Sequence, residues 1–366
     1  MAEILANLKR LEVLECKTIE DILLPKKEEG IRLEKIVVFP KLEFLELRDL
    51  QALKRFCAAD SSIEFPSLKE LRMEDCPELK TFVMPIRVPS VENQLPPFNE
   101  KVIFPSLTRL TCINRLGEGI THDKPIALNF KFLERYQNIE KLELRGFFPD
   151  GILWQHQQPQ QQQPMSACLK ELRLYDFHML RHLFGDPSNT IAFPTLHTLH
   201  LQNCSRLQSF APSCMSFHNL ETLHVSQCHG LTYLLASSTA TSLVRLKEML
   251  IRKCKRMTEI INNDEEKDEL VFRSLEILEL CDLPNLKSFY SGNNAISFPS
   301  LEKLYVNRCP EMRTFSHGII STSSLKGING ARGLWDTNVN TTIRKLWEED
   351  DSNSGLVQLF AYEMVR

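Results

Sequence analysis

Two stretches share one pattern: FPSLKELRMEDCPELKTF from Phe65 to Phe82, and FPSLEKLYVNRCPEMRTF from Phe298 to Phe315. Apolar residues fall at the same offsets in both, Leu68, Leu71, Met73 and Cys76 in one and Leu301, Leu304, Val306 and Cys309 in the other. The L-x-x-L-x-L-x-x-C frame recurs at Leu8, Leu11, Val13 and Cys16, at Leu196, Leu199, Leu201 and Cys204, at Leu220, Leu223, Val225 and Cys228, and at Leu246, Met249, Ile251 and Cys254. Four more units put a larger residue last: Leu42, Leu45, Leu47 and Leu50; Ile139, Leu142, Leu144 and Phe147; Leu169, Leu172, Leu174 and Phe177; Leu275, Leu278, Leu280 and Leu283. A weaker unit, Leu107, Leu110 and Cys112, ends on Arg115. That makes about eleven units, whose starts lie roughly 24 to 39 residues apart.

The L-x-L element alternates, so its apolar residues share one side of a short strand and the x residues take the other. One such strand cannot bury its apolar side alone. Stacking neighbours roughly 4.8 Å apart pairs their backbones and merges the apolar sides into one core. The fold class expected is therefore an α/β repeat, a leucine-rich-repeat solenoid of horseshoe type. Its parallel sheet would line the concave face, with mostly irregular or 3-10 convex segments. Cysteine at the frame's last position reads as a small hydrophobe where the chain turns away.

Two accessory signals repeat. Phe-Pro enters the frame at Phe39, Phe65, Phe104, Phe193 and Phe298. Proline suits a strand entry, where no N–H is needed. Beyond the turn, Leu79 and Phe82, Leu207 and Phe210, Leu286 and Phe289, and Met312 and Phe315 lie three apart, a spacing that fits a 3-10-like or irregular return.

Residues 1–320 are expected to form the solenoid, with loops inserted near 85–103, 155–166 and 262–270, and residues 321–366 a C-terminal cap and tail. Pro85 to Lys101 fits no repeat, Gln155 to Pro164 is nearly all glutamine, histidine and proline, and Asn262 to Glu269 is an acidic run. Such compositions suit solvated loops. Asn340-Thr341-Thr342-Ile343, followed by Leu346 and Trp347, reads as a capped short helix shielding the last repeat. The first frame, at Leu8, has no such shield, so an upstream domain or a partner is expected to cover it.

Composition narrows the function classes. The 366 residues carry a formal charge of -3, whose sign and size imply no polyanionic partner such as nucleic acid. No stretch is long and apolar enough to span a bilayer. Met1 to Leu14 mixes Glu3, Lys9, Arg10 and Glu12 among its apolar residues, unlike a secretory signal, and the eleven cysteines are scattered. Reduced thiols in the cytosol or nucleus are the expectation. No nucleophile–base motif stands out, so no enzyme is expected, and neither is a cofactor or metal. The pair His200 and His224, in one column, supplies two ligands where a structural zinc site normally needs four.

Binding is expected on the x positions of the strands. The central column reads Glu12, Glu46, Arg72, Thr111, Glu143, Arg173, His200, His224, Leu250, Glu279 and Tyr305. Its N-terminal half alternates acid and base, as cross-strand charge pairing alone would produce. Its C-terminal half is less charged and offers anchors of the type that dominate interfaces. The candidate partner-binding residues are Arg173, Tyr175, His200, Gln202, His224, Leu250, Arg252 and Tyr305.

The paired eighteen-residue blocks and the Asn340-Thr341-Thr342-Ile343 ending resemble the C-terminal leucine-rich-repeat region of plant coiled-coil, nucleotide-binding disease-resistance proteins. The resemblance covers nearly the whole chain. It implies a protein-recognition module of an intracellular immune receptor, which senses a pathogen effector or a modified host protein and helps hold the receptor inactive. Family members carry an upstream nucleotide-binding module with a G-x-x-x-x-G-K-[ST] loop, and no such string occurs here. The chain is therefore expected to be a fragment or a truncated relative, with that module as a partner if the gene product is longer. A stand-alone adaptor, such as the substrate-recognition arm of a ubiquitin ligase, is the alternative, although no F-box-like segment precedes Leu8. An extracellular receptor ectodomain is disfavoured by the missing signal and cysteine caps.

Overall fold

A computed structural model of the protein describes residues 6–23, 35–57, 61–79, 81–83, 102–114, 138–146, 151–154, 168–184, 193–209, 215–264, 269–325, 328–329 and 338–350. The chain forms two compact units, residues 1–180 with 193–196 and residues 181–192 with 197–366. Each unit is a parallel-strand leucine-rich-repeat solenoid with very little helix.

In unit 1 the ladder strands are Arg10–Leu14, Phe44–Arg48, Glu70–Glu74, Arg109–Ile113, Lys141–Arg145 and Glu171–Tyr175, each parallel to the next and paired without a slip. Unit 2 repeats the arrangement with Thr198–Gln202, Thr222–Ser226, Glu248–Arg252, Ile277–Cys281, Lys303–Asn307 and Ile328–Asn329. The frame leucines face inward: Leu71, Leu142, Leu172, Leu199, Leu223, Leu278 and Leu304 are all buried. Burying each such side chain contributes roughly 1.5–3 kcal/mol. Leu11 and Val13 of Arg10–Leu14 are only half-buried.

The residue after most of the ladder strands turns the chain. Asp49, Asp75, Asp176, Asn203, Gln227, Lys253, Asp282 and Arg308 sit there with φ between 51° and 61°. Gly146 holds the same place at φ 73°. The N–H of this residue extends the ladder by one bond, as Asp75 does to the Ile113 carbonyl at 2.8 Å and Gln227 to that of Arg252 at 3.0 Å. The cysteine follows. Cys76, Cys228 and Cys309 are buried, and each thiol donates to two carbonyls, one two residues back and one on the preceding repeat. Burial pushes the Cys76 and Cys309 thiols up to about 12, so they stay protonated donors.

The return segments are more regular than a 3-10-like course. A single turn, such as Leu79 N–H to the Cys76 carbonyl, leads into a short strand. These strands stack into ladders of their own, including Asp21–Leu23, Arg55–Cys57 and Thr81–Val83 in unit 1, and Ala236 with Leu235, Glu259–Asn262 and Ser288–Tyr290 in unit 2. Two rows of phenylalanine set their spacing. Phe39, Phe65 and Phe104 stack at 5.1 Å, and Phe56 and Phe82 at 5.2 Å, with edge-to-face contacts between the rows. Phe272 with Phe298 and Phe289 with Phe315 repeat this in unit 2. The serine after Phe-Pro adds a polar seam: the Ser67 hydroxyl donates to the Pro40 carbonyl, Ser106 to Pro66, and Ser300 to Arg273.

Val102–Ile103 and Glu269–Val271 are strands, so the insertions are shorter at these ends than 85–103 and 262–270. Residues 85–101, 155–166 and 265–268 lie outside the described residues, as do Arg115, Phe147 and Phe210. The repeat also runs past residue 320, since Ile320–Thr322 and Ile328–Asn329 both join parallel ladders. The helix Val339–Asp350 follows, with Val339, Thr342 and Ile343 buried. Its N-cap is Asn338, whose side chain accepts from the Thr341 N–H at 3.0 Å.

Candidate functional site

The alternation that buries the leucines turns the x positions onto the open face of each ladder. In unit 2 the central column places His200, His224, Leu250, Glu279 and Tyr305 in direct register on successive strands. Gln202, Ser226, Arg252, Cys281 and Asn307 form the next column. Six candidate residues therefore share one surface. Arg173 and Tyr175 lie on a single strand of unit 1.

Their surroundings differ in kind. The His200 and His224 rings meet edge to face at 5.4 Å between centroids. His224 Nε2 is buried without a hydrogen-bond partner among the described residues, and Glu248 Oε2 lies 3.5 Å away. Arg252 is clamped: its guanidinium donates two bonds of 2.6 Å to the Glu279 carboxylate. That pair fixes a planar, charged neighbour beside Leu250 and Tyr305, both half-exposed. In unit 1 Arg173 donates to Glu171 and contacts Tyr175. Burial and the nearby Glu143 charge push the Tyr175 phenol up against the pull of Arg173.

Among the described residues, the ion pairs around Thr111 do not follow the central column, where Glu46 acts on Arg72 only through its charge. They run along single strands, Glu70 with Arg72 and Glu171 with Arg173, and across the column before it, Glu70 with Arg109 and Glu171 with Lys141. The x-x-x triplet of a strand thus carries a charge pair two residues apart, on the same face, which the column-by-column reading passed over. Among the described residues, no group of three or more His, Cys, Asp or Glu side chains gathers as a metal site. No helix among them is long and apolar enough to cross a membrane.

Residues 1–96 and 215–325 match the family model described as "Plant disease resistance protein RPS2-like, leucine-rich repeats". Among curated proteins, the chain is 26% identical over 170 residues to "Disease resistance protein RPS5" of Arabidopsis thaliana, covering 41% of this chain and 18% of that protein. It is 35% identical over 109 residues to "Disease resistance protein SUMM2" of the same plant, covering 28% of this chain and 11% of that protein. The chain thus spans less than a fifth of the length of either relative. No solved structure matches it significantly. With more than half of its length under the family model, the chain belongs to the RPS2-like leucine-rich repeats of plant disease resistance proteins.

Proposed function

We propose that this chain is the protein-recognition module of a plant immune receptor acting in the cytosol or nucleus, and that it senses a pathogen effector or a modified host protein while helping to hold the receptor inactive. The observation that carries this reading is the open ladder face of unit 2. It sets two histidines, Leu250 and Tyr305 in one register, beside a clamped Arg252, on a rigid scaffold. A guanidinium already held by its carboxylate loses little entropy on binding, and aromatic and aliphatic side chains beside it are the groups that dominate interface centres. The names of the relatives support the immune setting. Gln202 extends the proposed contact set on this face, and Arg173 and Tyr175 are proposed as separate contacts on the open face of unit 1.

The test is co-expression of the chain with a panel of candidate effectors and host proteins, followed by binding measured with purified pairs. The triple variant His224→Ala, Leu250→Ala, Tyr305→Ala is expected to lose the partner, by roughly a hundredfold, while its circular dichroism stays unchanged. A partner held with equal affinity by the triple variant would overturn the assignment of this face.

A further inference from the structure

The open face of unit 1 carries a feature of its own, which shares only Arg173 with the contacts proposed above. A depression of about 290 Å³ opens over Thr111, walled by Arg72, Arg109, Lys141, Glu143 and Arg173. Its origin is side-chain length. Thr111 stands in register between Arg72 on one side and Glu143 on the other, so a short residue interrupts a column of long ones.

Four cations and three carboxylates line the depression. Glu70 is shared by Arg72, at 2.6 Å, and Arg109, at 3.4 Å. Glu171 is shared by Lys141, at 2.9 Å, and Arg173. Each of these two carboxylates is largely covered, its side chain 16% exposed, and each serves two cations. Counted alone, each cluster has one positive charge in excess, and with Glu143 the lining as a whole keeps one. The clusters meet at Arg109 and Lys141, which face each other directly across neighbouring strands. Like charges in directly opposed positions destabilise a sheet. Glu143, the remaining carboxylate, makes no ion pair among the described residues.

We propose that the Thr111 depression receives the carboxylate of an aspartate or glutamate from an acidic, extended segment of a partner protein, seated between Arg109 and Lys141. Arg109 and Lys141 each reach only a carboxylate already shared with a second cation, and the anion would give the two a common acceptor between them. Its charge matters: three glutamates in the same wall oppose a dianionic phosphate more than a singly charged carboxylate. The depression also holds one or two side chains, with the open ladder continuing on both sides for the rest of the segment.

The test uses the whole chain and a fluorescein-labelled hexaglutamate peptide, with hexalysine and a phosphoserine peptide as comparisons, read by anisotropy at low salt. Hexaglutamate is expected to bind, hexalysine to fail, and the phosphoserine peptide to bind more weakly. Arg109→Ala with Lys141→Ala is expected to weaken hexaglutamate by at least about tenfold. Thr111→Trp, which fills the depression and leaves every charge in place, is expected to do the same. Lys247→Ala removes an exposed cation of unit 2 and is expected to change nothing. Circular dichroism confirms that each variant folds, and Lys141→Met serves if the double variant does not. No binding of hexaglutamate, equal binding by Thr111→Trp, or tighter binding of the phosphoserine peptide would overturn the proposal. The triple variant of unit 2 retains hexaglutamate binding, so failure here and failure there are separate results.

Discussion

The Asn340 carboxamide takes the place of a further repeat beside Phe315. Its Oδ1 accepts from the Phe315 N–H at 2.6 Å and from Ser316 at 3.3 Å, and its Nδ2 donates to the Ser316 carbonyl at 2.8 Å. One repeat earlier, the Phe315 carbonyl itself accepts from Phe289 and Tyr290. A side chain thus continues a backbone ladder where the return strands stop. Asn340→Ala leaves these part-buried groups without partners and should cost about 1–3 kcal/mol. The loss should appear as faster amide exchange at Phe315 and Ser316, with exchange in Arg10–Leu14 unchanged because a solenoid couples only neighbours. Asn340→Asp keeps the acceptor and should cost less.

Asp264 ties the short helix Ser237–Ala240 to the return ladder of unit 2. Burial alone would raise its pKa, but the Ser237 and Ser238 hydroxyls and the Ser238 N–H donate to the carboxylate and hold it below the usual aspartate range. A carboxyl with a depressed folded pKa binds fewer protons than in the unfolded chain. Its contribution is complete above the unfolded value of about 3.9 and fades as pH falls towards the folded one. Urea titrations between pH 6 and pH 3 should show the wild type losing more stability than Asp264→Asn. Parallel losses in the two proteins would refute this role.

The turn after most of the ladder strands predicts a contrast between two substitutions at equivalent positions. A Cβ on Gly146 would stand 2.2 Å from the Asn114 carbonyl oxygen, at φ +73°. Gly146→Ala should therefore destabilise by about 1–3 kcal/mol or more. Lys253 adopts φ 55° with a full side chain, a conformation that costs an L-residue roughly 1 kcal/mol. Lys253→Gly should thus be neutral to stabilising despite glycine's freedom in the unfolded chain. Thermal melts of the two variants should move in opposite directions, or the second should stay level.

Much of this architecture was legible in the sequence, because strand alternation writes itself as Leu71-x-Met73 or Leu304-x-Val306 and a buried frame tolerates little else. The open-face columns followed from the same period of two. What escaped was set by contacts between repeats rather than within them. The left-handed turn had a signal in Asp49, Asp75, Asn203 and Asp282, residue types that accept that conformation, but Gln227, Lys253 and Arg308 hide it. The Ser67 seam needs a carbonyl 27 residues away. The Thr111 depression depends on the length of its neighbours Arg72 and Glu143, a property of the column and not of any repeat.

Thiol chemistry offers a test of the cysteine assignments. Cys168 is exposed and Cys281 half-buried, whereas Cys57, Cys76, Cys112, Cys204, Cys228, Cys254 and Cys309 are buried. Exposure alone would predict that Cys281 reacts readily. Burial first, and then the adjoining Asp282 and Glu279 charges, push its thiol up to about 11, so only about one molecule in a thousand is thiolate at pH 8. Arg252 pulls the other way. In native protein, a disulfide reagent at pH 8 should label Cys168 quickly and Cys281 slowly, and should reach the buried seven only on unfolding. Asp282→Asn should quicken Cys281 and Arg252→Ala should slow it, as read by mass spectrometry of labelled peptides. Raised accessibility alone would speed the reaction in both variants, so opposite responses identify charge as the cause. Equal labelling of Cys281 in all three proteins would show that burial by itself governs it.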